Sequence, residues 1–107
     1  MNYSKLGNEQ ISELIEKRLK VDPWINTENR YHNYCGNPSD AWPIIASRKI
    51  SLVYDPDIKK WEASVIVGKY PDAKETLEAY ALKTINHYDY NPLRAAMIVY
   101  LMMEQSE

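Results

Sequence analysis

The chain has 107 residues, 45% hydrophobic and 26% charged, and carries a net charge of −2. That length suits one domain, residues 1–107, with enough buried surface for a core that needs neither metal nor disulfide. Thirteen Lys+Arg against fifteen Asp+Glu leave no dense basic face, so nucleic acid is not an expected partner.

The first predicted element is a helix over residues 8–20, where Ile11, Leu14, Ile15 and Leu19 recur at helical spacing. Asn8 is a suitable cap, and its acids come early and its bases late, as the helix dipole favours. This acidic, amphipathic start is unlike a signal peptide. Residues 24–36 read as irregular, with one short edge strand from Tyr31, His32 and Tyr34. Asn37-Pro38 opens a second helix, in which Ala41, Ile44 and Ile45 form the buried stripe. Pro43 leaves two readings open, a helix that starts late at Asp40 or one that is kinked.

Residues 50–54 and 61–67 alternate as strands do, and the Asp55-Pro56-Asp57 turn joins them into an antiparallel hairpin. Ile50, Leu52 and Tyr54 are expected on one face of the first strand, and Trp61, Ala63, Val65 and Val67 on one face of the second. Residues 72–88 read as a third helix, with Asp72 and Glu75 at capping-box spacing. A strand over 82–90 is the competing reading. The last helix runs over 91–104, and its segment 95–103 is apolar all round, the pattern of an enclosed central column. That segment is too short to span a bilayer, so no membrane attachment is expected. The fold class is α+β: about four helices packed around a small antiparallel sheet, the 50–54/61–67 hairpin with one further strand allowed.

Asp40-Ala41-Trp42-Pro43-Ile44-Ile45 and the segment 91–103 together resemble the bacteriophage and prophage NinX-like family, a small uncharacterised group. The opening Met1-Asn2-Tyr3-Ser4-Lys5-Leu6 and Tyr34-Cys35-Gly36-Asn37-Pro38 are also similar to its members. More distantly, the order helix–hairpin–helix is similar to phage ABA-sandwich domains. Segment 23–34 is shorter, and 72–90 longer and more helical, than the family pattern, so nothing seated there is carried over. The resemblance implies a phage accessory protein made in the cytoplasm of a bacterial host; it implies no reaction.

Chemistry-bearing residues are few. His32 and Cys35 lie three apart, but two ligands do not make a zinc site, and no metal or other cofactor is expected. Cys35, the single cysteine, allows no internal disulfide and fits a reducing compartment. As a nucleophile it would need His32 or His87 brought beside it by the fold. With three glycines the chain has no phosphate loop.

Arg94 is the unusual charge. It falls in the first turn of a helix whose N-terminus already presents unpaired N–H groups and positive potential. It requires an anion, either an internal acid such as Asp40 or Asp89, or a bound ligand. On the ligand reading, Asn91 and Arg94 form an anion pocket, with Trp42, Tyr88 and Tyr90 as stacking faces. Nine Tyr and three Trp with no Phe also favour half-wet aromatic positions over pure core.

The sequence therefore points to a non-enzymatic binding module that acts on a host component. It would work as a protein inhibitor or by sequestering a nucleotide-like defence signal. The alternative is a small enzyme acting on a phage or host metabolite through His87, Cys35 or Asp89. Self-pairing into a homodimer, along the hairpin edge or through exposed aromatics, is a further expectation.

Overall fold

The computed structural model describes residues 2–19, 32–69 and 82–105. Among them are a short 3-10 turn at Tyr3–Lys5, three helices and three strands. Helix α1 spans Asn8–Leu19 and α2 spans Pro38–Arg48; strands β1 (Ser51–Asp55), β2 (Lys60–Lys69) and β3 (Leu82–Asp89) follow, then α3 (Pro92–Gln105). The sheet is antiparallel throughout, in the order β1-β2-β3.

Helix α3 is the enclosed column that its apolar run predicts. Residues 95–101 are all buried, and α3 packs across β2 and β3 on one side and against α1 and α2 on the other. In β2, Ala63 and Val65 point at it, and the register sets Leu52 and His87 on either side of Ala63 and Ile85 beside Val65. The opposite face carries Val53, Glu62 and Tyr88 in one row and Ser51, Ser64 and Asn86 in the next. The sheet is thus covered on one side and alternates apolar and polar as such sheets do.

Four expectations are corrected. About four helices were expected, but residues 82–89 form a strand, and three helices are present among the described residues. The strand pattern prevails because Ile85 and His87 alternate with Thr84, Asn86 and Tyr88, placing one set against α3 and the other in solvent. The capping-box segment 70–81 lies outside the described residues, as does 20–31. Residues 32–36 form a turn rather than an edge strand; the third strand comes from 82–89 instead. Asn8 belongs to α1 and does not cap it. Gly7 takes that place, its carbonyl accepting from Ile11 N–H and its own N–H donating to Gln10 Oε1 at 2.8 Å. Val67 leaves the face of Trp61, Ala63 and Val65, because a bulge between Ile66 and Gly68 shifts the register.

Helix α2 starts at Pro38, capped by the Asn37 side chain, and runs through Pro43. The bond that Pro43 cannot donate would end on the Ser39 carbonyl; Ser39 is exposed, so water can satisfy it. The helix closes on Lys49 in the left-handed region, with Ile50 N–H returning to the Ile45 carbonyl at 3.0 Å.

Replacing Leu101, which is 1% exposed, with alanine should cost about 2–5 kcal/mol in urea unfolding. Val53→Ala on the open sheet face should stay within about 0.5 kcal/mol.

Candidate functional site

The connection from β3 to α3 brings four of the sequence-predicted residues into one stretch. Asp89 accepts the Asn91 N–H at 3.0 Å, which shapes the turn. Asn91 then caps α3, its Oδ1 accepting from the N–H groups of Leu93 and Arg94. Its amide Nδ2 donates to the Cys35 carbonyl at 2.6 Å and so anchors the turn that precedes α2.

Of the two readings open for Arg94, the internal ion pair is the one found. Its Nε donates to Asp89 Oδ2 at 3.0 Å, and both side chains are largely buried. Nη1 donates to Asn8 Oδ1 at 2.7 Å, and Nη2 to the carbonyls of Ser4 and Leu6 at 3.0 and 2.6 Å. Three of these oxygens lie more than 85 positions away in sequence, so nothing local to Arg94 announced them.

The aromatic residues take a different course. Tyr90 is 73% exposed, with the Lys60 ammonium 5.0 Å from its ring centre. Tyr88 is exposed on the open sheet face, where Glu62 across the ladder meets its hydroxyl and pushes the phenol pKa up. Tyr54 and Trp61 pack edge to face at 5.4 Å beside the same turn. Trp42 is 63% exposed on α2, and no ring contact among the described residues joins it to the others.

Cys35, His87, Asp89 and Arg94 share one neighbourhood beneath this turn, but they do not form a nucleophile with its base. Cys35 is fully buried, and burial pushes its thiol up to about 11, with Arg94 opposing and Asp89 reinforcing. A thiol held protonated in this way is inert. His87 Nε2 has no hydrogen-bond partner among the described residues, and burial pulls the imidazole below its ordinary pKa against the pull of Asp89. His32 turns away from Cys35: its Nδ1 stands 2.7 Å from Glu16 Oε1, the oxygen that also accepts from the Tyr34 hydroxyl.

The family described as Bacteriophage P22, NinX matches residues 6–104 of the chain. The chain belongs to that family. No curated protein and no solved structure matches it. Nearly all of the Arg94 network falls within the NinX match; the Ser4 carbonyl alone precedes it. No helix among the described residues is long and apolar enough to cross a membrane.

Two outcomes are expected from this network. Arg94→Met should cost about 3 kcal/mol, because Asp89 is left unpaired and three further acceptors lose their donor. Arg94→Lys should recover little, since one ammonium cannot reproduce the fork; chemical denaturation measures both. His87 adds a pH dependence. Its folded pKa is depressed, so its contribution is intact above the unfolded value of about 6.5 and is lost as pH falls toward the folded value. Melting temperature should drop between pH 7 and 5, and His87→Gln should flatten that part of the profile.

Proposed function

We propose that this phage accessory protein, one domain acting inside the bacterial host, works by holding a protein partner rather than by transforming a substrate. The observation that carries this reading is the aromatic rim at the hairpin end. Tyr54, Tyr88 and Tyr90 stand partly or largely in solvent around one sheet end, and Trp42 is exposed on α2. Amphipathic aromatics left in water are the side chains that anchor protein interfaces. Trp42, Tyr88 and Tyr90 are the contact residues of this proposal, while Asn91 and Arg94 position the turn that presents the two tyrosines.

A protein partner is favoured over a nucleotide-like ligand because Arg94, the natural grip for an anion, bonds to internal oxygens. The enzymatic alternative draws little from the buried thiol and from an imidazole whose Nε2 has no partner among the described residues.

Tyr90→Ser and Trp42→Ser should leave the melting temperature unchanged and abolish capture of the partner by the tagged chain in crosslinked host extract. Sedimentation of the purified chain distinguishes a captured partner from self-pairing along β1. Capture indifferent to both substitutions would refute this reading.

A further inference from the structure

At the other end of the sheet, away from the aromatic rim, two adjoining grooves of about 430 and 310 Å³ meet at Arg48. Ile66 floors both, with the buried Val65 beside it. Lys83 lines the first and Lys49 the second, and no acidic residue among the described ones lines either. In a chain of net charge −2 this is, among the described residues, a local reversal of sign. The Arg48 guanidinium lies over the Tyr100 ring at 5.6 Å, which fixes its place at the junction. Lys49 and Lys83 are exposed and enter no ion pair among the described residues. A cation near the end of α2 complements the helix dipole, but Lys83 sits on a strand and has no such reason to be there.

The shape decides what such a groove can take. A small molecule is held by enclosing most of its surface. Here the floor residue Ile66 is itself 61% exposed, so the trough is too shallow for that. A length of polypeptide needs no enclosure, because it is anchored along its run. The trough also opens at Ser51 onto the outer edge of β1, which has no neighbouring strand among the described residues.

We propose that this groove receives an acidic, extended segment of the partner protein, its carboxylates meeting Lys49 and Lys83 and its apolar side chains resting on Ile66 and Val67. The inference rests on the reading that the chain holds a protein partner, and it names the chemistry of one contact.

The test is a titration of the ¹⁵N-labelled full chain, followed by amide shifts. The probes are a blocked peptide alternating Glu with Leu, its Lys/Leu counterpart and a single-stranded oligothymidylate. The acidic peptide should give saturable shifts at residues 49–51, 64–67 and 83–85. Binding should weaken about tenfold in the Lys49→Asn/Lys83→Glu double variant and fall with added salt. Asn suits the left-handed backbone at position 49, and an otherwise unchanged amide spectrum would show that the variant is folded. No saturable shift there, an equal response to the Lys/Leu peptide, stronger binding of the oligonucleotide, or indifference of the double variant would each overturn the proposal. If host-partner capture needs Tyr90 while the acidic peptide fails, the groove alone is refuted. If the peptide binds but capture ignores Tyr90 and Trp42, the aromatic reading falls and the groove stands.

Discussion

A positive charge in the first turn of a helix is held against two opposing terms, the dipole of its own helix and the loss of water. Arg94 overcomes both because its planar fork reaches a carboxylate, a side-chain amide oxygen and two backbone carbonyls at once. Those oxygens belong to the end of β3, the start of α1 and the turn before it. The guanidinium therefore ties the N-terminal stretch to the sheet and to α3, where a purely apolar contact would fix burial but not orientation. With Asn91 capping α3 and donating to Cys35, the same short stretch also sets where α2 begins.

This arrangement explains how so small a chain can leave one whole sheet face open. Helix α3 covers the inner face and is itself packed against α1 and α2, so the core lies between the sheet and α3 on one side and between α3 and the other two helices on the other. The outer face is then held by ladder bonds and cross-strand pairs such as Asn86 with Glu62, not by burial. A sheet of this kind has ends that differ in chemistry. Among the described residues the hairpin end is aromatic, and the bulged end carries lysines around an apolar floor.

The sequence made much of this fold legible, and its failures have physical causes. The three helices and the hairpin followed from apolar spacing and Asn-Pro starts, because local capping and amphipathicity coincide there with the final packing. Segment 82–89 was ambiguous since Leu77, Tyr80, Ala81, Thr84, Ile85 and Tyr88 repeat at three and four positions, while Thr84 to Tyr88 also alternate. Only the presence of β2 alongside decides between the two. Asn8 was misread as a cap because a cap and an arginine acceptor need the same short amide. That Arg94 must have an anion was readable from its place in the helix. Which oxygens it would choose was not, since three of them come from the opposite end of the chain. The groove at Arg48 had no sequence signal either: Arg48, Lys49 and Lys83 are ordinary charges until the bulge at Val67 and the return of β3 set them around one floor.

The separation of duties among the charged residues bears most directly on function. A cation that is nearly fully hydrogen-bonded inside the protein cannot also serve a ligand without weakening the contacts that hold the chain together. The proposed binding surfaces are accordingly built from groups whose internal bonds are few: aromatic rings at one sheet end, lysines and an apolar floor at the other. Neither the exposed rings nor the lysines are needed to bury the column of α3. Arg94, Asp89 and Asn91 are thereby left to act as the internal frame of the fold.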